Sequence, residues 1–377
     1  MSILIVDDSM MNLAYFKQVL SEAGYSAIET ASSAEQALER LGMTGGRIPR
    51  KAAAFDLILL DIVMPDMDGI EACGLIKACP PYMDLPIIFL TSDRRHFKEA
   101  FGAGGIDFVE KGAPDYELLT RVQSAIRFKK ETDIRKSREI GLLKELQLAK
   151  KVQKTVLPSP MLEPKIEIHA QYIQSDEVSG DMFYWTRIDE HRCGVMLIDV
   201  AGHGLSSALI SMSVRSLLDR MVKRITEPSE VCQELNRQMF NLFGGSRESI
   251  YLTAIYLLID QKAQQIRYFN AGHPPGLFFS ENQKAHYLET TGVPLGIRKK
   301  ITSRSGICPY SGSGKILLYT DGLVETPRKS ISAGIEHLEN YASRIRYLPN
   351  DRFTEKLAVF GQGKSDDVCI VSIQLND

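Results

Sequence analysis

Short apolar runs that end in a carboxylate recur along this chain, and they restrict its fold more than any other feature. "SILIV" (2–6) delivers Asp7 and Asp8, "FDLILL" (55–60) delivers Asp61, and "VMLI" (195–198) delivers Asp199. A short apolar run bounded by turn signals reads as a buried strand. An acid at its end stands where strand meets loop, the place where open α/β sheets bind ligands. Taken singly, each acid also reads as a turn residue or helix cap. Their recurrence is what asks for more.

Over residues 1–125, "LPIIFL" (85–90) and "IDFVE" (106–110) join the first two runs as strands. Amphipathic stretches at 9–23, 33–42, 68–78 and 94–103 read as crossover helices, and "GMTGGRIPRKA" (42–52) as a loop. The alternation predicts an α/β doubly wound parallel sheet of the flavodoxin type. Thr91 and Lys111 fall directly after the third and fourth of these strands. Three carboxylates crowded at one sheet edge repel unless a divalent cation joins them, and oxygen ligands suit Mg²⁺. Asp61 is then a candidate nucleophile toward phosphorus, forming an acyl phosphate. Lys111 would neutralise the added charge, and the Thr91 hydroxyl would bond a phosphoryl oxygen.

These motifs, "ILIVDDS", "LLDIVMPDMDG", "IIFLTS" and "GGIDFVEK", resemble the receiver domain of two-component response regulators. The resemblance implies that Asp61 is the phosphoacceptor, that Asp7 and Asp8 are metal-site acids, and that Thr91 and Lys111 are switch residues. Phe108 takes the place of the family's switch aromatic. One departure is Gly112, where the family usually has proline.

Tyr116 to Leu157 contains no proline and no run of glycines, which predicts one long linker helix over 116–157, ended by Pro158. Leu142, Leu146, Ala149, Gln153 and Val156 recur at alternating steps of four and three, the spacing of a coiled-coil seam. The expectation is a homodimer through this helix. The alternative is a solvated spacer packed on one domain, since Glu139, Arg135 and Thr132 continue the seam poorly.

Beyond "PSPMLEP" the pattern changes to alternating segments at 166–173, 251–260, 264–272, 315–321 and 366–375, with helical stretches near 204–223 and 228–242. This predicts an α+β layered domain over 158–377. "VSGDMFYW" carries Asp181, "IDVAGHG" Asp199, "LLYTDGLVE" Asp321 and "GKSDDVCIV" Asp366 and Asp367. Together they suggest strands delivering carboxylates to one rim, a donor set suited to Mg²⁺ or Mn²⁺. Two such ions can activate a water and clamp a phosphate ester without a protein nucleophile.

Over 148–377 the chain resembles the PPM (PP2C-like) serine/threonine phosphatases of the bacterial sporulation and stress-response branch. Further motifs are "DVAGHGLSSALISM", "YFNAGHPP", "TGVPLGI" and "YTDGLVE". The resemblance implies a β-sandwich flanked by helices, with two Mn²⁺ or Mg²⁺ ions at one edge. Asp181, Asp199, Asp321 and Asp366 would be the catalytic metal ligands, Val200 would add a backbone carbonyl, and Asp367 and Gly202 would support the site. His203 reads as a non-ligand and His273 as a loop-shaping residue. No counterpart of the arginine that grips substrate phosphate in eukaryotic-type members is evident. "SGDMF" distantly resembles a cyclase signature, but Met182 stands where an acid belongs.

A net charge of -2 makes no electrostatic case for nucleic acid or an anionic membrane. Six scattered cysteines lack metal spacing and fit reduced thiols. The start of the chain lacks the basic region of a signal peptide. A cytoplasmic protein is therefore expected. The two resemblances together imply a response regulator whose phosphorylation by a cognate histidine kinase activates a protein phosphatase. Its implied substrate is a phosphorylated anti-sigma-factor antagonist of the STAS type, released to free a stress sigma factor. The alternative is a receiver-controlled, non-catalytic binding module with the same fold.

Overall fold

In the computed structural model the described residues are 1–377 except 44–52, 93, 176, 203, 244–249, 281–283, 302–303, 326–329 and 362–365. Most of the 42–52 loop and His203 thus lie outside the described residues. The chain divides into two compact units, Met1–Leu142 and Leu143–Asp377.

In the first unit the order is β1 (Ser2–Val6), α1 (Met10–Glu22), β2 (Ala27–Ala31), α2 (Ala34–Arg40), β3 (Leu57–Asp61) and α3 (Gly69–Ala78). It continues with β4 (Ile87–Thr91), α4 (Phe97–Gly102), β5 (Asp107–Glu110) and the start of α5 (Asp115–Thr155). The five strands pair in parallel in the order β2-β1-β3-β4-β5. Period-two alternation splits their side chains between two cores. Ile3, Ile5, Leu57 and Leu59 pack on α1 and α5, whereas Leu4, Val6, Ile58 and Leu60 pack on α2 and α3. Strand β2 was not among the expected strands. Its sequence AIETA buries only Ala31 fully, as befits an edge strand.

Helix α5 is continuous for 41 residues, and the boundary between the units falls inside it. The second unit continues with β6 (Met161–Glu163), β7 (Ile166–Ile173), β8 (Met182–Arg187), β9 (Arg192–Val200), α6 (Leu205–Arg224), α7 (Pro228–Phe243), β10 (Leu252–Asp260) and β11 (Gln265–Ala271). Then come β12 (Gly276–Ser280), β13 (His286–Leu288), β14 (Gly306–Pro309), β15 (Gly314–Tyr319), α8 (Ile331–Ile345), α9 (Asn350–Phe360) and β16 (Val368–Leu375). Two antiparallel sheets result, β14-β11-β10-β9-β8 and β13-β12-β15-β16-β7-β6.

Their facing sides form one core of Phe183, Trp185, Val195, Leu197, Leu257, Leu318 and Val371 among others. The outer face of the first sheet packs Met196, Ile198 and Tyr256 on α6 and α7. That of the second packs Leu317, Tyr319 and Ile370 on α8 and α9. This is a sandwich flanked by helices, with α8 and α9 as unanticipated members. All six cysteines are buried free thiols. Among the described residues, no helix is long and apolar enough to cross a membrane.

The expected seam on α5 is corrected at its C-terminal end. Gln153 is fully buried and Val156 packs against the core under α6 and α7, so neither is free to face a second helix. Leu142 remains exposed, while Leu146 and Ala149 are half-buried.

Gly322, directly after Asp321, shows how tightly the end of β15 meets β16. A Cβ there would lie 2.1 Å from the Asp367 carbonyl oxygen, so no side chain fits without moving backbone. Gly322→Ala should destabilise the second unit by about 1–3 kcal/mol, the usual range for overpacking. Thermal or urea unfolding of the full chain checks this, and an unchanged midpoint would contradict the packing.

Candidate functional site

Alternation in the second unit explains why three of its acids converge. Cys193, Val195 and Leu197 of β9 face the inter-sheet core, and Asp199 is next in the same parity. Asp181 precedes Phe183 and Trp185 in β8, and Asp367 precedes Cys369 and Val371 in β16, again on the inward parity. Met182 pairs with Ile198, which sets Asp181 beside Asp199 at the sandwich end. Asp321 begins the single turn after β15. Strands β8, β9 and β16 therefore carry apolar side chains inward until the core ends and there present a carboxylate. Strand β15 instead has Thr320 at its last inward position, and Asp321 comes from the turn after it.

The five acids line one cavity of about 310 Å³, together with Val200 and Gly202. Tyr251 and Thr253, which the sequence reading did not single out, line it too. None of the described lining residues is cationic. Asp181 is buried, Asp199 and Asp321 are half-buried and Asp366 is exposed. Burial and then the Asp199 charge hold the Asp181 carboxyl well above the usual carboxylate range. Burial, then Asp321, push Asp199 up to about 7. Burial, then Glu325 and Asp366, raise Asp321. An all-oxygen cluster whose members cannot all ionise at neutral pH fits hard divalent cations, whose charge would remove the repulsion.

The surrounding hydrogen bonds fix these acids. Thr320 Oγ1 donates to Asp181 Oδ2 at 2.7 Å, and the Tyr172 hydroxyl donates to the Asp181 carbonyl at 3.0 Å. Asp367 Oδ1 accepts from the Ser175 N–H and hydroxyl at 2.8 and 2.9 Å. His273 is fully enclosed, and burial pushes its pKa down to about 3, so the ring is neutral. Its Nε2 lies 3.1 Å from the Tyr319 carbonyl, an acceptor, so the proton sits on Nε2. Nδ1 then accepts from Thr253 Oγ1 at 2.9 Å. Thr253 stands opposite Asp199 across the β9–β10 ladder, and this bond leaves its oxygen lone pairs for the cavity.

The first unit has a different acid site. Ligand atoms of Asp7, Asp8 and Asp61 lie within 4.8 Å of one another, the one such group among the described residues. The acids of the second unit ring a cavity instead of forming one knot. Lys111 Nζ reaches Asp61 Oδ2 at 2.7 Å and Asp7 Oδ2 at 2.8 Å. Burial raises the Asp61 pKa, with Lys111 offsetting part of the effect. For Lys111, burial acts to lower the pKa, but its bonds to Asp61 and Asp7 outweigh that and raise it. One lysine against three carboxylates leaves negative charge that a Mg²⁺ ion would balance. Thr91 is buried at the end of β4, and its carbonyl accepts from the Lys111 N–H at 2.7 Å. Phe108 is half-buried against Phe97, with ring centroids 3.6 Å apart, and under Arg121. Gly112 adopts φ 97°, a value closed to the proline usual there.

Comparison with known proteins separates the chain into two segments. Residues 3–123 match the response regulator receiver domain, and residues 189–376 match the Stage II sporulation protein E (SpoIIE) family. Over 188 residues, 50% of this chain, it is 42% identical to the phosphoserine phosphatase RsbP of Bacillus subtilis (strain 168), covering 47% of that protein. The structure of the RsbU and RsbW domains of Rv1364c from Mycobacterium tuberculosis is similar at TM-score 0.51 and 26% identity, over 59% of this chain and 63% of that one. The SiaA-PP2C domain of Pseudomonas aeruginosa shares the fold at TM-score 0.52 and 18% identity, over 64% of this chain and 98% of that one. The chain spans about half the length, or less, of the curated relatives it matches. Asp181 lies outside the matched SpoIIE segment, so its place in the site rests on the geometry above. Residues 3–123 are thus a response-regulator receiver domain, and residues 189–376 belong to the SpoIIE family, on a fold shared with PP2C domains.

Proposed function

We propose that this chain is a response regulator whose receiver controls a metal-dependent phosphoserine/phosphothreonine protein phosphatase. The observation that carries this reading is the ring of five carboxylates about one cavity with no cationic side chain among its described lining residues. Divalent cations bound there would polarise phosphoryl oxygens and acidify a water. Asp181, Asp199, Asp321 and Asp366 would hold two Mn²⁺ or Mg²⁺ ions, with the Val200 carbonyl as a neutral donor. Asp367 keeps the Ser175 loop in place, and Thr253 offers an acceptor to whatever enters opposite Asp199. Presence of the full acid set favours an enzyme over a non-catalytic binding module of the same fold.

In the receiver, Asp61 would accept a phosphoryl group from a histidine kinase. Lys111, already paired with Asp61, would meet the added charge, and Thr91 and Phe108 would carry the change outward. Helix α5 is the covalent route from there to the phosphatase unit. The likeness to RsbP and to RsbU domains supports a phosphorylated STAS-type anti-sigma-factor antagonist as substrate. Pairing of two chains through the Leu142–Ala149 stretch of α5 is part of the proposal.

Asp199→Asn should lower Mn²⁺-dependent hydrolysis of p-nitrophenyl phosphate by more than the roughly 10–100-fold typical of residues behind the ligands. Full activity would refute the metal reading. In chelator the same change should raise stability, because it removes one of several repelling acids. The Asp199 pKa is raised from 3.8 to about 7. Its contribution to stability is therefore complete below about 3.8 and lost as pH rises through about 7. The gain in melting temperature of Asp199→Asn over the parent should grow between pH 5 and pH 8, and saturating Mn²⁺ should abolish it.

Acetyl phosphate or beryllofluoride should raise phosphatase activity and dimer fraction together, with Asp61→Asn blocking both. A coupling of about 1–3 kcal/mol corresponds to a 5–150-fold response. Leu146→Asp should leave the receiver phosphorylatable while activation is lost. Activation without any change in mass by light scattering would place the signal within one chain.

A further inference from the structure

Gln153 is the least expected side chain in the second unit. It is a polar residue in the last turn of a long, mostly exposed helix, yet its exposure is zero. Both ends of its amide are bonded. Nε2 donates to the Ser179 carbonyl at 2.6 Å, while Oε1 accepts from the Ser179 N–H at 3.3 Å and from Gln174 Nε2 at 3.1 Å. The side chain thus bonds both backbone groups of Ser179, as a neighbouring strand would. Ser179 is also fully buried, and its Oγ accepts from the Asp181 N–H at 3.1 Å.

Asp181 is therefore gripped from three directions. Tyr172 of β7 holds its carbonyl, and Thr320, which follows β15, holds its carboxylate. Both of those residues are fixed by the sheets. The third grip, through Ser179, comes from a helix outside them. Two further contacts tie the same helical end to neighbouring segments. Lys150 pairs with Glu177 at 3.6 Å, and Arg215 of α6 donates to the Val156 carbonyl at 3.2 Å.

We infer that Gln153 is a positioning residue for the cavity: its two-point bond to Ser179 sets the Ser179–Asp181 backbone, and it does so only while the last turn of α5 is folded against the phosphatase unit. The inference rests on reading Asp181 as a metal ligand. It gives any signal that loosens the C-terminal turn of α5 a direct route to metal affinity, through one side chain and one loop. A buried backbone N–H and C=O that lose such a partner cannot turn to water, so the loop must shift to satisfy them.

The test uses the full-length chain with Gln153→Met, which keeps the side-chain length and removes both bonds. Gln153→Asn, too short to reach Ser179, reads the same contact if the methionine variant is too unstable to purify. Asn350→Leu is the control. It removes another buried amide of the same unit, which bonds the Glu167 and Ser372 carbonyls and lies away from the cavity lining. In metal-free protein, hydrogen exchange at the Ser179 and Asp181 amides should speed up in the Gln153 variants and not in the control. Mn²⁺ affinity by calorimetry should fall about 10–100-fold in the Gln153 variants, as for residues that orient metal ligands, and stay within about twofold in the control. Parental exchange and affinity in the Gln153 variants would overturn the inference, as would an equal loss of affinity in Asn350→Leu. If the parent itself bound no Mn²⁺, the metal reading would fail, while the exchange measurement would still decide the role of Gln153.

Discussion

Mutual repulsion among carboxylates at one end of the β-sandwich is the constraint around which the second unit is organised. Asp181, Asp199 and Asp321 all have raised pKa values, and each is raised partly by the charge of a neighbouring acid. Such a cluster opposes folding, so the apolar core between the sheets and the bonds from Thr320 and Tyr172 must hold it together. Proteins place groups this way where binding a counter-charge is the purpose. The strands supply the placement without special geometry. Period-two alternation points every second side chain at the opposite sheet. For Asp181, Asp199 and Asp367 the last inward position before the rim is the acid, while Asp321 and Asp366 come from the adjoining turns.

The receiver meets the same repulsion with a different balance. Lys111 is already bonded to Asp7 and Asp61, so this acid cluster carries its own partial counter-ion. A phosphoryl group added to Asp61 would need that lysine, which ties the state of the aspartate to the β5–α5 loop. The second unit has no such cation among the described residues lining its cavity. On the function proposed above, one site would register a covalent charge and the other would gather metal ions. The difference lies in one lysine placed at a strand end.

Much of this was legible because the informative residues are local. An apolar run followed by an acid shows both the strand and the place of its carboxylate, and neither depends on distant contacts. Strand β2 escaped notice because an edge strand buries little and AIETA carries a weak apolar signal. Helix α8 leaves a clearer trace in the sequence: Ile335, Leu338, Ala342 and Ile345 recur at helical spacing, and Ser330 caps its start. Thr253 was invisible for another reason. Threonine is ordinary in a strand, and only the register that sets it opposite Asp199 and beside His273 marks it.

Gln153 shows where local pattern misleads. At a step of four from Ala149 and three before Val156, it fits the seam of a coiled coil, where a lone polar residue commonly sets register. The structure uses that face differently along its length. Leu142 is exposed, whereas Gln153 and Val156 are packed into the second unit. One face of this helix thus passes from an exposed stretch to a buried contact. Periodicity could reveal the face but not its change of partner, since that depends on Ser179, a residue 26 positions further along the chain.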